Sequence, residues 1–200
     1  MTNQQKITDS PIDFAEKIIN DVKNSKEDGV LKCVQCGMCT STCPAARHSD
    51  YNPREIIERV LEGDISIIED DNIWNCFYCY TCHSVCPVGN SVCEVNQILK
   101  QIAIENNVGY DKLYEYLGFA DSYFTAAIGA IPERFFQDID RDVPGWWEFR
   151  QNLEEIRKEL DLNPPLMPSE EVIDEVSKIL TITGFKQKIE KIRATEEAVK

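Results

Sequence analysis

The chain has 200 residues, of which 42% are hydrophobic, enough for a packed core and too many for wholesale disorder. Its formal net charge of −14, from 35 acids against 21 basic residues, excludes nucleic acid and an anionic membrane surface as natural partners. Met1 to Ser10 is polar and has no apolar segment of the signal-peptide kind. The longest uncharged run, Asn72 to Cys93, is interrupted by cysteines, a proline and a glycine, so no membrane span is expected and the expected compartment is the cytoplasm.

Helix signals run through the chain. Ser10 with Asp13 is placed to cap a helix that opens on Pro11, with Ile12, Ala15, Ile18, Ile19 and Val22 as its apolar stripe. Asn52-Pro53 repeats the device, with Glu55 in the first turn, Gly63 as the stop, and Ile56, Ile57, Val60 and Leu61 as the buried face. Ser91 with Glu94 forms a third capping box, opening a helix through Val95, Ile98, Leu99 and Ile102. Beyond Gly109, residues Tyr110 to Ile131 read as short helical pieces broken by Gly118 and Gly129. Trp146 to Leu160 follows as a helix with Phe149, Leu153, Ile156 and Leu160 in one stripe. Asn163 to Pro168 is a proline-rich connector. Ser169 caps a further helix with Val172, Ile173, Val176, Ile179 and Leu180 apolar, and the charged end from Lys186 is expected to fray. No segment alternates with period two between hairpin turns, so the expected class is all-α. The expected organisation is a cysteine-bearing domain over 1–108 and a helical extension over 109–200, read as a docking element for a partner.

Nine cysteines in a reducing compartment call for metal or catalysis, because disulfides do not persist there. Eight fall in two groups of identical spacing, Cys33-x2-Cys36-x2-Cys39-x3-Cys43-Pro44 and Cys76-x2-Cys79-x2-Cys82-x3-Cys86-Pro87. This is the spacing of bacterial ferredoxins that hold two [4Fe–4S] clusters, in which the fourth cysteine of each run binds the other cluster. Three thiolates on a turning loop converge on three corners of a cubane, and the proline sends the fourth away. The expected ligand sets are Cys33, Cys36, Cys39 and Cys86 for one cluster, and Cys76, Cys79, Cys82 and Cys43 for the other. Zinc would favour separated pairs, often with histidine, and the chain has only two histidines. With eight thiolates and two cationic cluster cores the net charge becomes about −18. Main-chain N–H groups of the ligand loops can offset that charge, and Gly37 permits close approach.

The other polar and aromatic residues near the groups have plainer readings. Cys93 is expected to be a buried, inert thiol, and His83 and His48 ordinary loop histidines. Trp74, Phe77, Tyr78 and Tyr80 are expected to pack around the second group and keep water from it.

Between Cys43 and Cys76 lie 32 residues, largely the Pro53 helix, where small bacterial ferredoxins are compact and β-rich. This arrangement resembles the α-helical ferredoxin domain. The text around it, Cys-x2-Cys-Gly-Met-Cys-Thr-x2-Cys-Pro, then Asn52-Pro53-Arg54-Glu55, then Ile73-Trp74-x-Cys76-x2-Cys79-Tyr80-Thr81-Cys82, resembles the family of heterodisulfide reductase C subunits of methanogenic archaea and related anaerobes. The resemblance covers residues 25 to 108. It implies a cytoplasmic electron-transfer subunit that takes electrons from a flavin-containing, bifurcating partner, the A component of the complex. It delivers them to the catalytic B component, which reduces the heterodisulfide of coenzyme M and coenzyme B, with hydrogenase or formate dehydrogenase in the larger complex. The chain has no Gly-x-Gly-x-x-Gly loop for a flavin nucleotide and no adjacent Cys-Cys pair, so no catalytic residue is expected in it. Iron–sulfur subunits of succinate/fumarate or glycerol-3-phosphate dehydrogenases are the alternative. The first normally adds a plant-type cysteine run and the second a Cys-Cys domain, and neither is present here.

Overall fold

The structure, a computed structural model, describes residues 10–24, 29–129, 143–145, 148, 152–162 and 168–199. The chain divides into two compact units, Met1–Tyr110 and Asp111–Lys200. Among the described residues there are helices, 3-10 turns and connecting loops, and no strand. No helix among them is long and apolar enough to cross a membrane.

In the first unit, α1 (Pro11–Ile19) begins on a complete capping box. The Ser10 hydroxyl accepts from Asp13 N–H at 3.4 Å, and the Asp13 carboxylate accepts from Ser10 N–H at 3.0 Å. Its buried face differs from the expected stripe. Phe14 and Ile18, one turn apart, are the fully buried pair, which leaves Ile12 on the far side and 70% exposed. Val22, 96% exposed, lies past the helix end.

Helix α3 (Pro53–Leu61) starts on Asn52, whose side chain accepts from Glu55 N–H at 3.5 Å, and buries Ile56, Ile57 and Val60. Leu61, expected on that face, is turned to solvent. The chain then leaves through Gly63 in the left-handed region (φ +71°), where a Cβ would overlap the backbone of Pro11. The end of α3 is thereby locked onto the start of α1.

Two consecutive 3-10 turns, Ile65–Glu69 and Asp71–Asn75, lead to the second cysteine group. Asp64 and Asp70 cap them and both accept from Arg59, at 2.7 Å each, so one guanidinium fastens both turns to α3. Neither turn is visible in the hydrophobic pattern. Helix α5 (Val92–Glu105) is the centre of the unit, with Val95, Ile98, Leu99 and Ile102 buried against α1, α3 and the first 3-10 turn. The expected Ser91 capping box does not form: Ser91 makes no cap bond, and its hydroxyl instead meets Cys93 Sγ at 3.3 Å. Cys43, Cys82 and Cys93 belong to this same core, so the cysteine groups are built into its edge.

In the second unit, α6 (Leu117–Ala126), α8 (Glu170–Ile182) and α9 (Phe185–Val199) pack on one another. The expected break at Gly118 does not occur: α6 runs through it, and one interior glycine costs only about 1 kcal/mol. Arg193 pairs with Asp121 at 2.7 Å, and Phe124 stacks on Phe185. The segment after Lys186, expected to fray, is the helix α9. A narrow stripe of Phe185, Ile189 and Ile192 among its charges packs inward, with Ile192 4% exposed. Ser169 caps α8, accepting from Val172 N–H at 3.4 Å. On α8, Ile173, Val176 and Leu180 are half-buried while Val172 and Ile179 face water. Of the expected Trp146–Leu160 helix the structure describes α7 (Leu153–Glu159), with Leu153 and Leu160 exposed. Phe149 and most of the proline-rich connector lie outside the described residues.

Candidate metal centres

The repeated spacing of the cysteines is matched by a repeated backbone. In the first group Gln35 (φ +54°) and Gly37 (φ +78°) are left-handed; in the second, the corresponding Tyr78 and Tyr80 are both at φ +59°. Left-handed residues on either side of Cys36 and of Cys79 turn successive N–H groups to the concave side of each loop, a nest suited to negative charge. Glycine adopts this conformation freely, whereas Tyr80 holds it at a cost of about 1–2 kcal/mol.

Each loop runs into a short helix, α2 (Met38–Thr42) and α4 (Thr81–Ser84), and these two pack on each other. Cys43 is the C-cap of α2, and Cys86 follows α4, its N–H bonded to His83 O at 3.3 Å. With α2 packed on α4, Cys86 lies at the first loop and Cys43 at the second. The Thr40 hydroxyl donates to Asn52 Oδ1 at 2.8 Å and accepts from Arg54 N–H at 3.1 Å, joining α2 to the start of α3. On the opposite side Asn96 of α5, fully buried, donates to Ile73 O at 2.6 Å and fixes the approach to the second group.

Two recesses result. The first, with about 390 Å³ of empty space, is bordered by Cys33, Cys36, Cys39 and Cys86. The second, about 310 Å³, is bordered by Cys43, Cys76, Cys79 and Cys82. Cys82 also touches the first recess and Cys93 the second. Among the described residues no three His, Cys, Asp or Glu side chains are gathered tightly enough for a single metal ion; the thiols ring volumes.

Burial pushes the Cys39 and Cys76 thiols up from their ordinary range. At Cys76 the Tyr78 N–H, the Tyr51 hydroxyl and the charge of Lys100 pull the other way. The Asn90 N–H donates to Cys86 Sγ at 3.1 Å, and Thr81 Oγ1 lies 3.3 Å from Cys79 Sγ. Cys82 and Cys93 share a hydrogen bond that favours the thiolate at Cys93, lowering it to about 6, and pushes Cys82 well up. Cys93 is therefore buried as expected of a packing residue, yet it is bonded to a cysteine of the second group.

The aromatic residues of the second group divide in two. Trp74 and Tyr78 pack against the core, whereas Phe77 (60% exposed) and Tyr80 (44%) face solvent, contrary to a common water-excluding role. His83 stands on α4, not in a loop, and its Nδ1 is buried without a hydrogen-bond partner; His48 is exposed at the end of a 3-10 turn. Sequence reasoning passed over Tyr51 and Lys100. Tyr51, 3% exposed, borders the second recess, and burial and the nearby thiols hold its hydroxyl far above the usual tyrosine range. Both carried a signal. Tyr51 directly precedes the Asn52 cap, where an apolar residue staples a helix start, and Lys100 shares one face of α5 with Cys93 and Asn96.

Eight thiols in two sets of four, with main-chain N–H groups turned towards them and no nitrogen donor among them, are a donor set that fits iron–sulfur cubanes. Residues 29–90 match the 4Fe-4S dicluster domain family. Over 190 residues the chain is 34% identical to the C subunit of the ferredoxin:CoB-CoM heterodisulfide reductase of Methanosarcina acetivorans, covering 94% of this chain and 76% of that protein. The chain belongs to the family of heterodisulfide reductase C subunits. Shorter matches reach the C2 subunit of the H(2)/formate:CoB-CoM heterodisulfide,ferredoxin reductase of Methanococcus maripaludis, 41% identical over 49 residues, 24% of this chain and 27% of that one. Another is the C subunit of the H(2):CoB-CoM heterodisulfide,ferredoxin reductase of Methanothermobacter thermautotrophicus, 39% identical over 51 residues, 26% and 25% of the two chains. The chain is thus an iron–sulfur protein of an oxidoreductase family, and it carries two [4Fe–4S] clusters.

Proposed function

We propose that this chain is the electron-relay subunit of a cytoplasmic heterodisulfide reductase complex, with no active site of its own. It would dock between the flavin-containing A component and the catalytic B component, which reduces the coenzyme M–coenzyme B heterodisulfide. Cys33, Cys36, Cys39 and Cys86 hold one cluster; Cys76, Cys79, Cys82 and Cys43 hold the other. The observation that carries this reading is the pairing of α2 with α4, which leaves two recesses, one bordered by Cys33, Cys36 and Cys39 with Cys86 and Cys82, the other by Cys76, Cys79 and Cys82 with Cys43 and Cys93. Each bound cluster supplies a one-electron couple. The chain's own residues hold the two cofactors side by side, turn N–H groups on their ligands and leave Cys36 and Cys79 exposed towards partners. The extent of the match to the Methanosarcina protein favours ferredoxin as the ultimate electron source. Hydrogenase or formate dehydrogenase would be the source in complexes of the kind named for the shorter matches.

The test uses protein purified anaerobically from its own cells. The flavin-containing and catalytic components should co-purify with it, and about eight iron and eight sulfide should be found per chain. Separated from its partners, the chain should take electrons from a strong reductant and leave the heterodisulfide intact; turnover should return on adding both partners back. Heterodisulfide turnover by the isolated chain, or a membrane dehydrogenase in place of those partners, would overturn the reading.

A further inference from the structure

Both sites receive neutral donors. Cys39 is bonded by the Thr40 N–H and Cys86 by the Asn90 N–H; Cys76 is bonded by the Tyr78 N–H and the Tyr51 hydroxyl. They are not alike in charge. Lys100, on the face of α5 beside the second group, donates from Nζ to Cys76 O at 2.8 Å and to Trp74 O at 3.5 Å. Its ammonium stands 4.7 Å from the centre of the Tyr78 ring and 5.5 Å from that of Trp74, a cation held between two aromatic faces. It is half-buried, so water screens it poorly. At the first group, Lys32 beside Cys33 and Arg54 at the edge of its recess are both exposed, where solvent and salt reduce their reach. Glu94, in the first turn of α5, acts on Cys93 and Tyr80; at Cys76 itself Lys100 acts more strongly than the opposing charge of Cys93. A fixed positive charge beside one cluster favours its reduced, more negative form.

We propose that Lys100 sets the order of reduction in this chain, making the cluster of Cys76, Cys79, Cys82 and Cys43 the higher in potential and so the one that delivers electrons to the acceptor. The proposal names a positioning residue for electron flow, and it rests on the ligand assignment made above. It requires no group that changes charge during the transfer.

The experiment is a redox titration, followed by electron paramagnetic resonance, of the complete chain purified anaerobically with its clusters. Iron and sulfide analysis of the unaltered protein comes first; a lack of two four-iron clusters there defeats the ligand assignment and this proposal with it, whereas two clusters whose midpoints ignore Lys100 defeat this proposal alone. Cys79→Ser then marks which of the two midpoints belongs to the second group. In Lys100→Gln, which keeps an N–H donor for Cys76 O and removes the charge, that midpoint should fall. At the original midpoint the ratio of reduced to oxidised cluster should drop about tenfold, the order of effect of one poorly screened charge. Lys100→Arg should restore it, and the other midpoint should not move in either variant. Equal shifts at both clusters, no shift in Lys100→Gln, or a second midpoint already below the first in the unaltered protein would overturn the proposal. So would loss of the second cluster in both Lys100→Gln and Lys100→Arg, which would make Lys100 a structural requirement.

Discussion

Gly37 and Gly63 share a backbone conformation and differ in what surrounds them, so the same substitution separates two costs. Both are left-handed, at φ +78° and +71°. A Cβ on Gly37 meets nothing within 4 Å, whereas one on Gly63 would overlap the carbonyl and Cβ of Pro11. Gly37→Ala should therefore cost the left-handed strain, about 1–2 kcal/mol, with no protein atom in the way of the methyl. Tyr80, which adopts φ +59° at the equivalent place in the second loop, shows that the conformation tolerates a side chain. Gly63→Ala should incur that strain and also push α1 away from α3. Phe14 and Ile18, fully buried, are the contacts at risk, and each is worth about 1.5–3 kcal/mol. Even partial loss brings the total to roughly 3–5 kcal/mol. Anaerobic urea unfolding of the cluster-loaded protein, followed by circular dichroism, reads both. With a slope of about 2 kcal/mol per molar, the midpoint should fall by about 0.5–1 M for Gly37→Ala and by at least twice that for Gly63→Ala. Equal falls would refute the reasoning, because they would mean that α1 yields to the added methyl at no cost.

Arg59→Lys should destabilise the first unit by about 1 kcal/mol, since an ammonium cannot serve Asp64 and Asp70 in the forked geometry of a guanidinium; thermal unfolding measures it. The Ser66 hydroxyl, and after it Arg59, hold the Asp64 carboxyl below its ordinary range. That contribution is complete above the unfolded carboxylate value of about 3.9 and is lost as pH falls through the lower folded value, so the Arg59→Lys difference should shrink on acidification below about pH 4. Cys93→Ala should leave about eight iron per chain, because Cys86 and not Cys93 has the ligand spacing; loss of iron on metal analysis would give Cys93 a ligand role. Truncation after Tyr110, which is buried where Gly109 fits against Trp74, should leave both cluster spectra intact and abolish co-purification with the partner proteins. Loss of the clusters would show that the extension is needed to hold them.

The cysteine groups were legible in the sequence because ligand loops are local: a spacing of three, two proline stops and a glycine describe the turn without reference to the rest of the chain. Helix starts at Ser10, Asn52 and Ser169 were legible for the same reason, each cap being a bond between residues three apart. Features decided by distant residues were not. Ile18 is buried as its place in the stripe suggests, but Phe14 is buried because α3 and α5 lie over it, which no periodicity within α1 could say. The two 3-10 turns depend on one arginine reaching across to two aspartates, and the Ser91 hydroxyl meets Cys93 Sγ instead of capping its helix. Lys100 offered only its place on one helix face with Cys93 and Asn96. Along the sequence it is one more surface lysine, and only the fold turns it beneath the second cysteine loop.

In the proposed reading, crossed ligation joins the two cysteine loops into one carrier, and one comparison tests it directly. Cys33→Ser, Cys43→Ser and Cys79→Ser are prepared anaerobically, and the reduced spectra of the two clusters are recorded by electron paramagnetic resonance. Cys43→Ser should alter the same signal as Cys79→Ser and leave untouched the signal altered by Cys33→Ser. If Cys43→Ser and Cys33→Ser instead damage one and the same cluster, each loop binds its own four ligands, and the crossing of α2 and α4 does not carry the fourth thiolate across.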